Sequence, residues 1–276
     1  MNIGNVVIYG KDFNGYGTVY VAIEASFHGL NEKFFRHTLI SFDVLEKVEI
    51  HSELLYIHSN RELNRVVFSQ IETFCCDLKT DWHFQCISAI EEYMIKRLNV
   101  TTLHAGGVLY QDTAFIFVGE RFSGKSTLIH FLCDEHDCKY IDDDNMFFRN
   151  RKFWGSALPL RLRTRPRSDE HLILQFLDER NLRRYLCELN RYDTTSHEKT
   201  IIIFPKYKEQ CFEIKELYGE ELFKQLLKAV RHSESNFSMF EDISFITKNI
   251  PALYIEYDYC DYVFENMKKL VGGTYG

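Results

Sequence analysis

The sequence lacks both an excess of basic residues and a long apolar run. Its 33 Lys and Arg residues are outnumbered by 40 Asp and Glu residues, which gives a net charge of -7. Nucleic acids and anionic membrane surfaces bind basic proteins, so we expect neither as a partner. No apolar run reaches the roughly 20 residues that span a bilayer, and the start at Met1 lacks the basic and apolar segments of a signal peptide. We expect a cytoplasmic protein, for which a homo-oligomer stays open.

The eight cysteines form no zinc or redox motif. The sequence has no CxxC pair and no Cys/His spacing that would assemble tetrahedral zinc. In a cytoplasmic protein we expect reduced thiols. Cys133 and Cys138 flank the end of a predicted helix, where small apolar packing residues are a better interpretation than a redox pair.

The first 78 residues are predicted to form a small β-rich subdomain. With 45% hydrophobic residues in 276, the chain can bury a sizeable core in one large domain or two smaller ones. Apolar and β-branched runs separated by turn residues predict strands at 6–9, 19–27, 34–42, 47–50 and 54–58. From Thr80 the apolar spacing becomes helical and predicts a connecting helix within 79–98.

Residues 79–276 are predicted to form one α/β domain. Two apolar runs, 102–110 and 114–118, predict adjacent strands that lead into a glycine-containing loop. Further strands are predicted at 139–141, 146–148, 153–154, 200–204, 211–217 and 252–257. Helices are predicted at 125–133, 168–186, 219–231, 236–247 and 260–271.

The segment Gly119-Glu-Arg-Phe-Ser-Gly-Lys-Ser126 is a complete P-loop motif between a predicted strand and a predicted helix. Glycines allow the backbone N–H groups to surround a phosphate at the helix N-terminus. Lys125 can bridge the β- and γ-phosphates of ATP, and the Ser126 hydroxyl can bind Mg²⁺. A glycine-rich turn with an incidental lysine is the weaker alternative. The predicted nucleotide-binding residues are Gly119, Glu120, Arg121, Phe122, Ser123, Gly124, Lys125, Ser126 and Thr127.

An acidic cluster, Asp142-Asp143-Asp144, follows the next predicted strand. One carboxylate there can hold Mg²⁺ beside Ser126, while another accepts the proton of an attacking hydroxyl. A solvated acidic turn is the alternative interpretation, which the neighbouring P-loop motif disfavours.

Three segments together resemble the HPr kinase/phosphorylase family, which has a PEP-carboxykinase-like P-loop fold. They are Leu103-His-Ala-Gly-Gly-Val108, Phe117-Val-Gly-Glu-Arg-Phe-Ser-Gly-Lys-Ser-Thr-Leu128 and Tyr140-Ile-Asp-Asp-Asp144. The resemblance implies ATP and Mg²⁺, with the family's Asp-Asp pair on Asp143 and Asp144. Asp143 would then be the proton acceptor and Asp144 the nearer metal ligand, with a register that can shift by one residue. The resemblance also implies that His104 lies near the γ-phosphate or a catalytic aspartate. Without the motif, a lone histidine on a strand would favour a core position.

Later segments look more like the compact HPr-kinase-like enzymes encoded beside peptide-modification genes, including lasso-peptide kinases. They are Leu158-Pro-Leu-Arg-Leu-Arg163 and Ile201-Ile-Ile-Phe-Pro-Lys-Tyr207. The Arg-Gly-x-Gly segment associated with the bifunctional enzymes is absent after the aspartates. This absence argues against phosphorylase activity.

A row of arginines, at 161, 163, 165 and 167, alternates with other residues and would share one face of an extended segment. Such a row can stabilise charge on a transferring phosphoryl group, or it can be a solvated strand edge. Arg161 and Arg163 follow the Leu-Pro motif, which favours the catalytic role for these two. Lys206, after Pro205, is a further candidate.

The sequence therefore predicts transfer of the ATP γ-phosphate to a hydroxyl, by Asp143, Lys125, His104, Arg161 and Arg163. Ser126, Asp143 and Asp144 are the predicted Mg²⁺ ligands. The family resemblance favours a serine of a peptide or small protein as the acceptor, with a free amino acid or another small metabolite as the alternative. A regulatory switch that binds ATP with little catalysis is the alternative from another class.

Overall fold

The chain divides into two compact units, each assembled from two stretches of sequence. The first joins Met1–Leu98 with Arg161–Glu188, and the second joins Asn99–Leu160 with Leu189–Gly276. A computed structural model describes residues 6–13, 18–39, 41–45, 54–60, 65–69, 74–77, 82–120, 122–156, 158–163, 165–166, 172–177, 183–189 and 197–272.

The first stretch of the first unit is a six-stranded sheet with three helices. Its elements are β1 (Val6–Asp12), β2 (Thr18–Glu24), α1 (Ala25–Leu30), α2 (Glu32–Thr38), β3 (Asp43–Leu45), β4 (Leu55–Asn60), β5 (Arg65–Ser69), β6 (Phe74–Asp77) and α3 (Trp82–Leu98). The strand order is β3-β1-β2-β4-β5-β6. The β2–β4 pair is parallel and the other pairs are antiparallel.

The strand predicted from Phe34 to Phe42 is wrong, because the described structure has helix α2 there. Phe34 and Phe35 are both buried and pack against the ring of Trp82 on α3. Aromatic residues favour strands by propensity, but burial of these rings against a helix outweighs that preference. The strand predicted at 47–50 lies outside the described residues.

Helix α3 belongs to the first unit, whereas the sequence placed residues 79–98 in the C-terminal domain as a connector. Its buried residues include Trp82, Ile87, Ile90 and Met94, which recur at helical spacing and face β2 and β5. The unit boundary therefore differs from the boundary predicted at residue 78.

In chain order, the second unit begins with three strands, one helix and three further strands. Its elements in this stretch are β7 (Thr101–Leu103), β8 (Ala105–Tyr110), β9 (Thr113–Val118), α4 (Lys125–Glu135), β10 (Lys139–Asp142), β11 (Met146–Arg149) and β12 (Lys152–Gly155). Strand β13 (Leu160–Leu162) follows, and from Arg161 it belongs to the second stretch of the first unit. The predicted strands around the P-loop motif and the predicted helix after it are confirmed as secondary structure.

The helix predicted at 168–186 is wrong, because its described residues form β14 (Leu172–Leu177) and β15 (Arg183–Cys187). Strands β14 and β15 pair antiparallel, and the sheet has the order β13-β15-β14. Short apolar runs fit a helix or a strand equally well by periodicity, and pairing between distant residues decided between them here.

The remaining elements complete the second unit. They are β16 (Lys199–Tyr207), β17 (Glu213–Leu217), α5 (Gly219–Ala229), β18 (Val230–His232), α6 (Asn236–Asn249), β19 (Ala252–Tyr257) and α7 (Cys260–Val271). The chain is thus a mixed α/β protein, as the sequence predicts. Among the described residues, no helix combines the length and the apolar character needed to cross a bilayer.

The main sheet of the second unit has the order β10-β8-β9-β16-β19-β17. Strand β9 lies inside it and is buried over its whole length, which explains its continuous apolar run. One core contains Ile116 and Val118 of β9 together with Leu222 of α5 and Ile243 of α6. Helix α4 packs on β8 and β10, and it also contacts α7. The start of α4 is thereby fixed at one edge of the sheet.

Candidate functional site

One edge of the main sheet collects most of the predicted site residues of the second unit. Strands β9, β16 and β19 run parallel, so their carboxyl ends share this edge. Strand β8 is antiparallel to β9 and begins at the same edge, directly after His104. Strand β10 is antiparallel to β8 and ends there, at the aspartates. Carboxyl ends of parallel strands are the usual ligand-binding edge of such sheets.

The loop between β9 and α4 is built around glycine. Gly124 has a φ of 92° and caps the N-terminus of α4. A Cβ atom on Gly124 would lie 2.6 Å from the hydroxyl of Tyr257, and one on Gly119 would lie 2.9 Å from Ser123 Oγ. Gly124 therefore requires glycine because of its backbone conformation, whereas a Cβ on Gly119 would require the Ser123 side chain to move.

Lys125, the first residue of α4, turns its side chain back over the loop. Its Nζ donates to the carbonyl oxygen of Gly119 at 2.6 Å and to that of Glu120 at 3.1 Å. The ammonium also lies 3.5 Å from His104 Nε2. Lys125 is only 6% exposed, and these carbonyl oxygens accept hydrogen bonds from its buried ammonium. The contacts place the ammonium where the loop meets β8.

The other loop residues differ in exposure. Phe122 has a φ of 74° and is 81% exposed, and Glu120 and Thr127 are also exposed. Ser126 is partly buried in the first turn of α4. Arg121 lies outside the described residues.

Asp142 organises the turn after β10. Its Oδ1 accepts the backbone N–H groups of Asp143, Asp144 and Asn145 at 2.7, 2.9 and 3.0 Å. Its Oδ2 accepts the backbone N–H and the hydroxyl of Ser156. Burial raises the pKa of Asp142, and the hydrogen bonds that it accepts oppose this rise. Because both oxygens are used in the turn, the geometry favours Asp143 and Asp144 for chemistry.

Asp143 is 6% exposed and accepts a hydrogen bond from the Tyr140 hydroxyl at 3.3 Å. Its backbone is packed against Gly106 of β8, where an added Cβ would lie 2.7 Å from Asp143 Cα. The same Cβ would lie 2.4 Å from Ile129 Cδ1 on α4. Gly106 therefore allows α4, β8 and the acidic turn to pack closely together.

Arg231 connects the acidic turn to His104. Its two terminal nitrogens donate to the two oxygens of Asp144 at 3.0 and 3.1 Å, and one also donates to Asn145 Oδ1 at 2.8 Å. Its NH2 lies 2.6 Å from His104 Nδ1, which in turn lies 3.0 Å from Asp144 Oδ1. A bidentate arginine–carboxylate pair of this kind fixes both partners in orientation.

Sequence reasoning missed Arg231, because the helix predicted at 219–231 extended through it. In the structure α5 ends at Ala229, and Val230–His232 forms β18 beside β7. The backbone N–H of His104 donates to the carbonyl oxygen of Ala229 at 2.6 Å, which brings Arg231 beside this histidine. The β-branched Val230 before Arg231 was the available local signal for a strand here, and this signal is weak.

The structure places Arg161 and Arg163 in the first unit. Arg161 forms an ion pair with Glu91 of α3 at 2.7 Å, and both side chains are about one-tenth exposed. Its guanidinium also lies over the ring of Phe84. Arg163 and Arg165 are exposed, and Arg167 lies outside the described residues. Their predicted contact with a phosphoryl group stays a prediction.

Lys206 belongs to a separate charged cluster around Glu256 on β19. Lys206 and Lys208 lie 3.3 and 2.8 Å from the carboxylate oxygens of Glu256, and the Cys211 thiol donates to it at 2.9 Å. The bonds from Cys211 and Lys208 hold the pKa of Glu256 well below its usual range. Glu213 is close enough to complete a three-ligand group with Cys211 and Glu256. Lys206 and Lys208 make this cluster an ion-paired network.

The residues at the sheet edge fit a phosphate chain and a divalent cation. Among the described residues, the first turn of α4 has no capping side chain and no acidic residue that would compete with an anion. Two buried polar atoms beside this edge, Ser123 Oγ and Asn145 Nδ2, have no hydrogen-bond partner among the described residues. The Ser126 hydroxyl and the carboxylates of Asp143 and Asp144 are the oxygen donors that Mg²⁺ prefers.

Comparison with known proteins gives a distant structural similarity. No family model and no curated protein matches the chain. Among solved structures, the HPr(Ser) kinase/phosphatase from Coxiella burnetii matches 61% of this chain and 97% of its own, with 12% identity and a TM-score of 0.28. The functional argument therefore rests on the residues of the site.

Proposed function

We propose that the protein is an ATP-dependent, Mg²⁺-assisted phosphotransferase that moves the γ-phosphate to a hydroxyl group. The observation that supports this most is the meeting of four features at one sheet edge. They are the P-loop motif, His104, the carboxylates of Asp143 and Asp144, and the guanidinium of Arg231. A phosphate cradle alone would serve a hydrolase, a switch or a kinase equally well.

ATP binds along the loop from Gly119 to Thr127. The backbone N–H groups and the positive end of the α4 dipole attract the phosphates, and Gly119 and Gly124 leave room for their approach. Lys125 contributes a charge at the end of the loop that faces His104. Bound Mg²⁺, held by Ser126, Asp143 and Asp144, would neutralise part of the charge on the phosphates.

Asp143 accepts the proton of the acceptor hydroxyl. As the hydroxyl oxygen bonds to the γ-phosphorus, the bond from that phosphorus to the bridging oxygen of the β-phosphate breaks, and ADP leaves. Asp143 suits this role because the turn holds its backbone in place, while Asp142 takes the structural hydrogen bonds. Positioned proton transfer of this kind contributes about 10²- to 10⁴-fold to a rate.

Lys125 and Arg231 stabilise the charge that develops on the transferred group. His104 lies between them, with Nε2 toward Lys125 and Nδ1 toward Arg231. A neutral imidazole accepts at only one ring nitrogen, and the 2.6 Å contact favours Nδ1 as the atom that accepts from Arg231. Arg231 fits the role that the sequence predicted for Arg161 and Arg163, since it shares the second unit with the P-loop motif.

The preferred acceptor is a serine of a peptide or small protein, on the basis of the motifs shared with HPr-kinase-like enzymes. A free amino acid or another small metabolite is the alternative acceptor. The two separate in one assay with γ-labelled ATP: label on serine-containing peptides supports the first, and label on small hydroxyl compounds alone supports the second.

The proposed chemistry is tested by Asp143→Asn. We expect transfer from labelled ATP to fall at least about 100-fold, since the general base is lost. ATP binding, measured by calorimetry without Mg²⁺, should change by less than about threefold. Asp112→Asn is the control, because Asp112 is exposed in the turn at the opposite end of β9 and has a φ of 60° that asparagine tolerates.

Transfer at the wild-type rate by Asp143→Asn, with ATP still bound, would contradict the role of Asp143 as base. Binding of ATP by the wild type without any labelled product, across peptides and small hydroxyl compounds, would instead favour a nucleotide-operated switch. Failure of the wild type to bind ATP would contradict the proposed function itself.

A further inference from the structure

Tyr207 places an exposed aromatic ring against the loop that precedes α4. The residue is 52% exposed at the carboxyl end of β16. Its Cβ lies 3.7 Å from the position that a Cβ on Gly124 would occupy. The ring is therefore accessible to a ligand beside the proposed nucleotide site.

The ring of Tyr207 is held in one orientation. The ring of Tyr257 packs edge-on against it, with centroids 6.0 Å apart and planes at 79°. The hydroxyl of Tyr207 donates to Asp258 Oδ1 at 3.3 Å, and the other oxygen of Asp258 accepts the backbone N–H of Gln210 at 3.1 Å. An exposed ring that is already oriented loses little entropy when a flat ligand stacks on it.

The sheet order places Tyr207 on the other side of the loop from the catalytic carboxylates. Strands β8 and β10, which carry His104 and the aspartates, flank β9 on one side. Strands β16 and β19, which carry Tyr207 and Tyr257, follow on the other side. A nucleoside triphosphate that presents its γ-phosphate to Asp143 has its base at the far end of the phosphate chain. The topology therefore directs that end toward β16.

We propose that Tyr207 is the stacking platform for the purine base of the bound nucleotide, with Tyr257 and Asp258 as positioning residues. This inference rests on the proposed function, because it assumes that phosphates occupy the loop. Stacking uses the face of the base, so adenine and guanine nucleotides should gain similar affinity from this ring. Stacking of a base on an aromatic side chain is worth about 1–3 kcal/mol, which corresponds to roughly a 5- to 150-fold change in affinity.

The test compares nucleotides with a ligand that has phosphates and no base. Binding of ATP, GTP and inorganic tripolyphosphate is measured by calorimetry for the wild type, Tyr207→Ala and Tyr207→Phe. We expect Tyr207→Ala to weaken ATP and GTP roughly tenfold, while tripolyphosphate changes by less than about twofold. Tyr207→Phe keeps the ring and should bind all three ligands within about threefold of the wild type.

Tyr259→Ala is the matched control. Tyr259 is 65% exposed at the start of α7 and stacks on Phe212. Its removal should leave all three affinities unchanged, and unchanged binding of tripolyphosphate also shows that a variant is folded.

Two results would overturn the inference while the proposed function stands. One is an equal loss of tripolyphosphate and ATP binding in Tyr207→Ala, which would mean that the ring supports the loop. The other is unchanged ATP affinity in that variant. If the wild type binds neither ATP nor tripolyphosphate, the proposed function fails and the inference fails with it.

Discussion

Arg231 is the residue whose importance emerges only from the folded chain. Its guanidinium pairs with both oxygens of Asp144 and also contacts His104, so it links the acidic turn to the start of β8. The side chain is 35% exposed, which leaves part of it accessible to a ligand. The pair is held by geometry as much as by charge, because solvent screening weakens ion pairs at this exposure.

Replacement of Arg231 tests whether this guanidinium acts on the transferred phosphate. We expect Arg231→Ala to lower the rate of transfer by about 10²- to 10³-fold, or about 3–4 kcal/mol, because one preorganised donor to the developing charge is lost. Arg231→Lys should recover only part of this loss, since an ammonium cannot bind two oxygens in the same plane. Single-turnover rates and ATP affinities measured separately distinguish an effect on transfer from an effect on binding.

Lys224→Ala removes a positive charge from the preceding helix and serves as the control. Lys224 pairs with Glu220 on the exposed face of α5. An equal loss of rate in this variant would point to a general charge effect rather than to Arg231. A rate within about twofold of the wild type in Arg231→Ala would remove Arg231 from the proposed mechanism.

At the scale of elements, the close packing of β8 against the acidic turn depends on Gly106. An added Cβ would lie 2.7 Å from Asp143 Cα and 2.8 Å from the carbonyl oxygen of Asp142, both backbone atoms that cannot move freely. We expect Gly106→Ala to lower the free energy of unfolding by about 2 kcal/mol, the usual range for overpacking. Chemical denaturation monitored by circular dichroism measures this change.

Gly29→Ala should change the free energy of unfolding in the opposite direction. Gly29 lies in α1, and an added Cβ there would meet nothing within 4 Å. Alanine is the better helix former, so this variant should be at least as stable as the wild type, by up to about 1 kcal/mol. If Gly106→Ala matched it, the tight packing between β8 and the acidic turn would be disproved.

The sequence predicted the elements whose signals are local. The apolar run of β9, the glycines of the loop and the helical spacing of α3 each identify one element from neighbouring residues. Several of the described elements that it missed depend on distant partners. Helix α2 is decided by packing against Trp82, the β14–β15 hairpin by pairing, and the position of Arg231 by the pairing of β18 with β7. Patterns along a chain carry little information about such contacts.

The residues of the candidate site also divide into those that a local motif identifies and those that distant contacts place. Gly119, Lys125 and the three aspartates were identified because a motif fixes their spacing, and the structure brings the loop and the acidic turn to one sheet edge. The separate role of Asp142 could not be predicted, since its hydrogen bond to Ser156 joins residues in different strands and turns. Tyr207 ends a segment that carries the family resemblance, but the sequence did not indicate a stacking role, because a tyrosine at a strand end is common in buried and exposed settings alike.

At the scale of the whole molecule, the two units contain different members of the predicted set of phosphate-binding residues. The second unit contains the P-loop motif, the aspartates and Arg231, whereas the first contains Arg161 and Arg163. Arg161 is already paired with Glu91 in a site that is mostly shielded from water. Breaking a buried pair leaves an uncompensated charge and costs several kcal/mol, so we expect Arg161 to keep this partner when nucleotide binds.

Hydrogen exchange with and without a non-hydrolysable ATP analogue and Mg²⁺ tests this expectation. Ligand binding to the native state slows local opening at the site that it contacts. We expect slower exchange in segments 119–127, 142–145 and 229–232, and unchanged exchange in segment 158–163. Slower exchange in 158–163 would contradict this expectation and support the sequence-based prediction for Arg161 and Arg163.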